Sequence, residues 1–469
     1  MFKLYNSRTK ETEEVKPLDG KTIRMYTCGP TVYDFAHIGN FRALLSADLL
    51  KRYLSYKDFS VNHVMNITDV DDKMIAGSQK QFPDTDPMEA LEKFGEKYEA
   101  AFFEDYRTLN IVEPDTITRA SEYIPEMQKL IVSIIENGFG YVKDGSIYFD
   151  VKKYSAKNTY GVLTNIDMEG FKDGARIDAD QYEKESAQDF ALWKKHKDGE
   201  PSWDLEVKGD QLPGRPGWHI ECSAMSHDTL EMPFDIHTGG IDLKFPHHED
   251  EIAQNVAGYG EETPINIWFH NGYLQVEGEK MSKSLGNFHT LRDVLGKGHT
   301  PEAIRYLLIS THYRQPLNFT EDSLKASKEA INRIQEVLYQ SQGKDEDSSS
   351  ITEQATKDMI QALNDDLNIS KALGIMFEAI KEINTNKLFG KQVVDWISDV
   401  DRILGLNVET GLTPSLQENK ELQDLLDERQ KARDSKDFKA ADTLRKEIES
   451  KFNVEVRDTD TGQETKKKS

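Results

Sequence analysis

The stretch "TIRMYTCGPTVYDFAHIGNF", residues 22–41, decides the fold because it carries the chain from a strand into a long helix. Residues 22–29 predict a β-strand, the Gly29-Pro30 pair predicts a turn, and a helical pattern covers about 37–56. A second β-rich run, "SVNHVMNITDV", follows at residues 60–70. Strand, helix and strand in this order form a βαβ unit, which is typical of a parallel, doubly wound α/β sheet.

The rest of the chain predicts a second half of this sheet and three further parts. The runs "FDIHTGG" and "INIWFHNGYLQV" predict strands, and another helix begins near Thr290. Four parts are therefore expected: a Rossmann-like sheet domain in two halves (1–114 and 211–310), an insertion between the halves (115–210), an α-helical bundle domain (311–408) and a small mixed C-terminal domain (415–469).

Length and composition describe a globular protein of several domains. The chain has 469 residues, of which 37% are hydrophobic and 30% are charged. It has no run of about 18 apolar residues, and its N-terminus, "MFKLYNSRTKETEEV", lacks the apolar core of a signal peptide. We therefore expect a cytoplasmic protein without membrane association.

The charge of the chain is strongly negative but unevenly distributed. Lys and Arg number 59, and Asp and Glu number 83, so the net charge of −24 argues against non-specific binding of nucleic acid. Residues 421–469, with 12 basic and 13 acidic side chains, have a net charge of only −1. This near-neutral end of the chain could approach a phosphate backbone that the rest would repel.

Two segments have the composition of phosphate-binding sites. The turn "CGPTVYDFAHIGNF" leads into a helix N-terminus, where Gly39 permits close approach and His37 and Asn40 add donors. The loop "GEKMSKSLGN" holds Lys280 and Lys283 between glycines, and cations so placed neutralise the charge that develops in phosphoryl transfer. Taken singly, the first segment could be an ordinary βα turn and the second a solvated loop.

The two cysteines and the run "HHEDE" suggest a metal site. Cys28 lies beside the possible phosphate site, Cys222 lies in "HIECS", and Glu251 follows His247 by four residues and His248 by three. Two thiolates, an imidazole and a carboxylate suit Zn²⁺, and the spacing alone allows either histidine. The alternatives are two unrelated buried thiols beside a capping histidine and a solvated carboxylate.

Together these motifs resemble the cysteinyl branch of the class I aminoacyl-tRNA synthetases. "HIGN" and "KMSKS" resemble the two signatures of that class, in the order and on the halves of the sheet that the class uses. The runs "CGPTVYDFAHIGN", "NITDVDDK", "PGWHIECSAMS", "DIHTGGIDLKFPHHEDEIAQ" and "EKMSKSLGNF" resemble the cysteinyl pattern, and the resemblance covers nearly the whole chain. Asn40 replaces the last histidine of the first signature and keeps a hydrogen-bond donor.

The resemblance implies a role for each motif residue. Catalytic roles are expected for His37, Asn40, Lys280 and Lys283. ATP contacts are expected for Gly39, Gly239, Gly240, Asp242 and Lys283. Zinc ligation is expected for Cys28, Cys222, His247 and Glu251, so the resemblance selects His247 over His248. Contacts with the substrate cysteine are expected for Thr68, Trp218 and His237.

The implied reaction is the ATP-dependent ligation of L-cysteine to the 3′ end of cysteine tRNA through a cysteinyl-adenylate. One zinc ion per chain is expected to select cysteine over serine because zinc prefers a thiolate, and Mg²⁺ is expected to arrive with ATP. Four protein ligands usually close a structural site, so this interpretation requires Glu251 to loosen or the coordination to expand. Asp69, Asp71 and Asp72 are interpreted as solvated and capping residues.

The parts after residue 310 are expected to contact tRNA, and a monomer is expected. By resemblance, 311–408 is the stem-contact and helical anticodon-side domain and 415–469 is the anticodon-binding domain. The basic residues expected to face RNA include Arg429, Lys431 and Arg433, although a solvated helical hairpin would carry the same charges. Two rival functions are a cysteine ligase acting on an amino-sugar and a zinc-stabilised RNA-binding module without catalysis.

Overall fold

The computed structural model describes residues 1–164, 189–281, 287–408, 420–435, 437–451, 454–459 and 462–467. The chain divides into two compact units, Met1–Leu406 and Asn407–Ser469. Among the helices described, none combines the length and the apolarity needed to cross a membrane.

The larger unit alternates strands and helices and then becomes helical. Its strands are β1 (Lys3–Asn6), β2 (Glu11–Glu14), β3 (Thr22–Thr27), β4 (Ser60–Ile67), β5 (Thr116–Arg119), β6 (Gly140–Lys143), β7 (Ser146–Phe149), β8 (Phe190–Lys195), β9 (Glu206–Val207), β10 (Asp210–Gln211), β11 (Gly214–Pro216), β12 (Phe234–Gly240), β13 (Ile265–Asn271), β14 (Leu274–Val276), β15 (Glu279–Lys280) and β16 (Leu317–Phe319). Its helices are α1 (Ile38–Tyr56), α2 (Asp72–Gln81), α3 (Pro87–Thr108), α4 (Ile124–Glu136), α5 (Val151–Ser155), α6 (Trp218–Leu230), α7 (His247–Tyr259), α8 (Leu291–Gly296), α9 (Pro301–Ser310), α10 (Glu321–Ser341), α11 (Ser349–Leu363), α12 (Ile369–Asn386) and α13 (Lys391–Leu404).

A five-stranded parallel sheet forms the centre of this unit, with the strand order β13-β12-β3-β4-β5. The first strand of the sheet, β3, lies in the middle, paired in parallel with β4 on one side and β12 on the other. The chain thus winds outward from β3 in one direction and returns to wind outward in the other. This order confirms the prediction of a doubly wound sheet, which binds ligands where the winding reverses.

Helix α1 is fixed by its sequence and is buried on most of its surface. His37 and Asn40 form a reciprocal capping box at its N-terminus, in which each side chain accepts a backbone N–H of the other. Its buried residues include three charged ones, Arg42, Asp48 and Lys51, and Asp48 pairs with the buried Arg305 of α9. The helix therefore packs against the sheet and is also tied to the helices that follow it.

The insertion forms its own antiparallel sheet, with the strand order β11-β8-β7-β6. Two strands lie on the other side of the predicted domain boundaries. Strand β5 falls within the range assigned to the insertion but pairs with β4 of the central sheet. Strand β11 falls within the range assigned to the catalytic half but pairs with β8 of the insertion.

The hairpin of β14 and β15, which includes Lys280 at the start of the predicted lysine loop, pairs with the segment that leads into the helical domain. Strand β14 is antiparallel to β15 and parallel to β16, and α10 begins directly after β16. Helices α10 to α13 pack on one another and confirm the predicted helical bundle.

The smaller unit is a mixed domain, as predicted. It contains α14 (Lys420–Asp434), α15 (Phe438–Lys451), β17 (Val454–Thr459) and β18 (Gly462–Lys467), and the two strands form an antiparallel hairpin. Ile448 and Val456 are buried at its core. Arg429, which was expected to face RNA, is also buried, whereas Lys431 is exposed.

Candidate active site

A cavity of about 580 Å³ opens at the carboxyl ends of the central strands. It lies where the winding of the sheet reverses, between β3 and β12. Most of the residues that the motifs predicted for a site line this cavity, namely Cys28, His37, Gly39, Asn40, Thr68, Trp218, Cys222, Gly239, Gly240, Asp242 and His247. The fold thus brings motifs from both halves of the sheet into one space.

The two cysteines lie side by side in the cavity wall. Cys28 follows β3 and Cys222 lies on α6, and their Sγ atoms are 3.7 Å apart. Both are free thiols, and a disulfide bond would need roughly 2.05 Å. Two sulfurs bound about 2.3 Å from one tetrahedral zinc ion lie roughly 3.8 Å apart, so the observed spacing fits a shared ion.

The first turns of α7 add an imidazole and a carboxylate to the two sulfurs. His247 and Glu251 are one helical turn apart, and His247 Nε2 is 3.1 Å from Glu251 Oε1. One possible ligand atom from each of Cys28, Cys222, His247 and Glu251 lies within 4.8 Å of the others. This set of two sulfurs, one nitrogen and one oxygen has the chemistry that suits Zn²⁺.

A second possible donor set overlaps the first. Cys28 and Glu251 also lie within 4.8 Å of ligand atoms from His237 and His248. This second set has one sulfur instead of two, and neither of its histidines is among the described residues that line the cavity. The first set is therefore the better candidate for a metal ion that must also contact a substrate in the cavity.

The ionisation of the donors also favours a cation. Hydrogen bonds from Cys28 and His247 lower the pKa of Cys222 to about 6, so this thiol is largely a thiolate at neutral pH. Burial raises the pKa of Cys28. Burial would raise the pKa of Glu251 as well, but the charges of His237 and His247 outweigh it and hold that pKa at about 2. Cys222 and Glu251 are therefore negatively charged without a metal ion. Burial would lower the pKa of His247, but these two charges raise it well above its usual range, so His247 would lose a proton on binding a metal ion.

Buried partners hold two of the possible ligands in place. His247 Nδ1 is 2.9 Å from Nδ1 of His219, and the Trp218 ring stacks on the His247 ring with centroids 4.5 Å apart. His237 Nε2 is 2.9 Å from Glu251 Oε2. His237, expected to contact substrate, is fully buried and outside the described cavity lining, so its observed contact is with a possible ligand.

The N-terminus of α1 forms another wall of the cavity. His37 Nδ1 accepts the backbone N–H of Asn40, and Asn40 Oδ1 accepts the backbone N–H of His37, both over 3.1 Å. The capping box fixes the helix end, whose partial positive charge attracts anions. A Cβ on Gly39 would lie 3.1 Å from Cε of Met281, so the glycine permits this close approach.

The structure describes only part of the lysine loop. The backbone of Lys280 pairs with Gln275 in the β14–β15 hairpin, and Met281 lines the cavity. Lys283 lies outside the described residues. Across the cavity, Gly239 and Gly240 end β12 and Asp242 follows them.

Thr68 shares a buried network that the sequence did not reveal. Its Oγ1 is 2.7 Å from Glu221 Oε2 and 3.3 Å from Nδ2 of Asn66. Burial raises the pKa of Glu221 well above its usual range. Glu221 precedes the possible ligand Cys222, and nothing in the motif distinguishes it from a solvated glutamate.

The carboxylate cluster after β4 has structural contacts. Asp71 caps α2 by accepting the backbone N–H of Met74, as expected. Asp72 pairs with Lys194 over 2.9 Å, and Asp69 accepts the backbone N–H of Ser121 over 2.9 Å. The expectation of solvated side chains is therefore wrong for Asp69, which this contact holds against the segment that follows β5.

Comparison with known families agrees with the motifs. The profile of the tRNA synthetases class I (C) catalytic domain matches residues 14–329, the DALR domain matches 358–406, and the cysteinyl-tRNA ligase anticodon binding domain matches 417–465. These three matches follow the predicted order of catalytic, helical and C-terminal parts.

Individual relatives match along their whole length. The cysteine–tRNA ligase of Brachyspira hyodysenteriae is 42% identical, over 99% of this chain and 99% of its own. That of Solibacter usitatus is 41% identical, over 100% of both chains. The solved methionyl-tRNA synthetase of Mycobacterium tuberculosis has the same fold, with a TM-score of 0.56 at 14% identity over 83% of this chain and 89% of its own. Given these matches and the site described above, the chain belongs to the cysteine–tRNA ligase family, enzymes with a class I aminoacyl-tRNA synthetase catalytic domain.

Proposed function

We propose that the protein joins L-cysteine to the 3′ end of cysteine tRNA in two steps. In the first, a carboxylate oxygen of cysteine attacks the α-phosphorus of ATP, the bond to the bridging oxygen of the β-phosphate breaks, and pyrophosphate leaves. In the second, a terminal ribose hydroxyl of the tRNA attacks the carbonyl carbon of the cysteinyl-adenylate. The hydroxyl loses its proton, and AMP leaves with the electrons of the broken C–O bond.

One observation carries the proposal: a pair of thiols and a capped helix N-terminus line the same cavity. Cys28 and Cys222 provide a place for a sulfur-selecting ion, and α1 begins at the same cavity with His37 and Asn40. A thiol substrate and a nucleoside triphosphate would therefore meet with their reacting groups close together, which is a large part of the rate advantage of an enzyme.

The end of the cavity at the N-terminus of α1, which we call the phosphate end, acts mainly by binding and orienting ATP. His37 and Asn40 position the phosphates at the helix N-terminus, where the partial positive charge favours them. Lys280 and Lys283 neutralise the charge that develops on the α-phosphate as pyrophosphate leaves, and Mg²⁺ arrives with ATP. Gly239, Gly240 and Asp242 form the wall that admits adenosine, with Asp242 accepting from a ribose hydroxyl.

The end of the cavity at the two cysteines, which we call the thiol end, fits a zinc ion. Cys28, Cys222, His247 and Glu251 would hold this ion. When bound, zinc prefers a thiolate to a hydroxyl and lowers the pKa of a bound thiol, which separates cysteine from serine more sharply than pocket shape can. Trp218 keeps His247 in place by stacking on it and also lines the cavity beside the substrate. Thr68 faces the same space and contacts the amino acid.

The parts that follow the catalytic domain support RNA as the acceptor. An amino-sugar ligase would need neither the helical bundle nor the smaller unit, and both match family domains that accompany this catalytic domain. The smaller unit has exposed basic residues on both helices, including Lys431 and Lys439. These side chains suit contact with the phosphates of the anticodon arm.

Amino-acid-dependent ATP–pyrophosphate exchange tests the proposal. The protein should catalyse exchange with cysteine at least about 10³-fold more efficiently than with serine, because ligation of sulfur, and not size, separates them. Zinc content should be one per chain. Exchange without selectivity, or charging of an amino-sugar in place of tRNA, would contradict the proposal.

A further inference from the structure

We infer that Lys73 and Phe35 form a binding site for the single-stranded 3′ end of the tRNA at the mouth of the cavity. Lys73 pairs with a phosphate near the 3′ end, and the Phe35 ring stacks against a base beside it. This inference rests on the proposed function and adds to it the residues that guide the third substrate to the adenylate.

The first observation is the charge of Lys73. Among the described residues that line the cavity, Lys73 is the single Lys or Arg, in a chain with a net charge of −24. Its side chain is exposed, and its Nζ lies 4.8 Å from the centre of the Tyr33 ring, which also lines the cavity. An aromatic ring beneath an ammonium group favours one position for the cation while leaving its other side open to an anion.

The neighbouring carboxylates have hydrogen-bond or ion-pair partners other than Lys73, although Asp71 also attracts Lys73 electrostatically. Asp71 accepts the N–H of Met74 as the cap of α2, and Asp72 pairs with Lys194. Asp34 lines the cavity and accepts the backbone N–H of Phe35. The ammonium group of Lys73 is thus directed to the cavity mouth by Tyr33 while the two carboxylates beside it in sequence have partners of their own.

The position of Lys73 in the sheet separates it from the elements proposed to bind ATP. Lys73 lies in the first turn of α2, after β4, and β4 pairs with β3 on the side away from β12. The proposed ATP contacts follow β3 and β12 instead. An anion bound by Lys73 therefore belongs to a ligand that enters past β4. Cysteine also carries a carboxylate, but that group must lie at the α-phosphate of ATP in order to react, so we assign the anion at Lys73 to the RNA.

The second observation is the exposed ring of Phe35. Its side chain is among the large apolar ones that remain exposed, at 36%, although it lines the cavity. The ring is held by an edge contact with Tyr98, with centroids 5.5 Å apart, and by the Arg292 guanidinium, 4.9 Å from its centre. Arg292 is itself paired with Asp105 over 2.9 Å. A fixed, exposed ring is what stacking of an unpaired base requires.

The test compares tRNA charging with pyrophosphate exchange in the full-length protein, using a transcript of cysteine tRNA. Lys73→Ala should raise the KM for tRNA about tenfold and leave cysteine-dependent exchange within about twofold, since exchange needs no RNA. The dependence of log KM on log salt should also lose about 0.7 in slope, the contribution of one phosphate on single-stranded RNA. Lys80→Ala, an equal loss of charge on an exposed residue of the same helix, is the matched control and should change neither.

Phe35 is tested by changing the ring alone. Phe35→Leu keeps an apolar side chain and should raise the KM for tRNA about threefold to tenfold. Phe35→Trp should keep the KM of the unaltered protein, because the larger ring also stacks. Equal losses in charging and exchange for Lys73→Ala would assign the lysine to ATP or cysteine and overturn the inference. Unchanged charging in both the Lys73→Ala and the Phe35→Leu variant would also overturn it. Absence of cysteine-dependent exchange in the unaltered protein would instead refute the proposed function.

Discussion

The two ends of the cavity are built differently. At the thiol end, possible ligand atoms from the residue after β3 and from α6 and α7 meet within 4.8 Å, and His219 and His237 contact two of these ligands from behind. At the phosphate end, a helix N-terminus and the backbone of a glycine pair face the cavity, and the cations that we propose for this end are Lys280 of β15 and Lys283. The thiol end is therefore fixed by buried side chains, whereas the phosphate end relies on backbone groups and on the lysines.

Under the proposed function, this difference follows from the two recognition problems. Cysteine and serine differ in one atom, so the site must hold its ligands rigidly to distinguish them. The phosphates of ATP are large and highly charged, and a helix N-terminus with a few cations binds them without close fit. We therefore expect changes at the thiol end to alter which amino acid is used, and changes at the phosphate end to alter the rate with any amino acid.

The largest effect is expected for Cys222→Ser, which removes one of two sulfurs from the metal site. Exchange with cysteine should fall by more than about 10³-fold, since losing a ligand costs more than the 10–100-fold that losing a ligand's partner costs. Metal content should fall as well, while ATP binding measured with a fluorescent analogue should be unchanged. If ATP binding and cysteine binding fell equally, the ion would be a structural one and the comparison between the two ends would fail.

Lys283→Ala tests the phosphate end. Exchange should slow by about 10²–10³-fold, the usual cost of removing one group that stabilises transition-state charge. The ratio of cysteine to serine activity should stay the same, because the thiol end is untouched. Lys297→Ala, which removes an exposed lysine beyond the loop, is the control. Near-normal exchange in the Lys283→Ala variant would remove its assigned role.

A smaller effect is expected for His237→Gln, which changes a residue behind the metal site. Glutamine can still donate a hydrogen bond to Glu251 but lacks the imidazole whose interaction, with that of His247, lowers the pKa of this carboxyl. Zinc affinity should weaken about 10–100-fold, measured by competition with a chelator. If His237 contacted substrate instead, the KM for cysteine would rise while zinc affinity stayed constant.

The sequence predicted the fold and most of the cavity, for a physical reason. The strand, turn and helix of residues 22–56 carry their own signals in periodicity and capping, and the carboxyl ends of parallel strands meet at one edge of the sheet. Residues at those ends, such as Cys28, His37 and Asp242, were therefore placed together correctly. The capping residue Asp71 was also recognisable from its position before a helix.

The sequence could not predict how deeply each site residue is buried. Thr68 follows β4 and lines the cavity, whereas His237 is the middle residue of β12 and is buried behind Glu251. The contact of Thr68 with Glu221 joins residues 153 positions apart in the chain. The boundaries of the insertion were also uncertain, because strand β5 belongs to the central sheet only through its pairing with β4. Strand pairing and side-chain burial of this kind depend on packing between segments that are distant in the sequence, so local patterns do not reveal them.

The smallest effect is expected at Asn40. Two substitutions at this position separate its contribution to stability from its contribution to ATP binding. Its Oδ1 caps α1, so Asn40→Ala should lower the free energy of unfolding by about 1 kcal/mol, measured by denaturant titration. Asn40→Asp keeps the capping oxygen and should retain that stability. The new negative charge would nevertheless repel phosphates, so the KM for ATP should rise several-fold while the preference for cysteine over serine stays constant. A loss of that preference in either variant would mean that the two ends are not independent, because the start of α1 would then be shaping the thiol site as well.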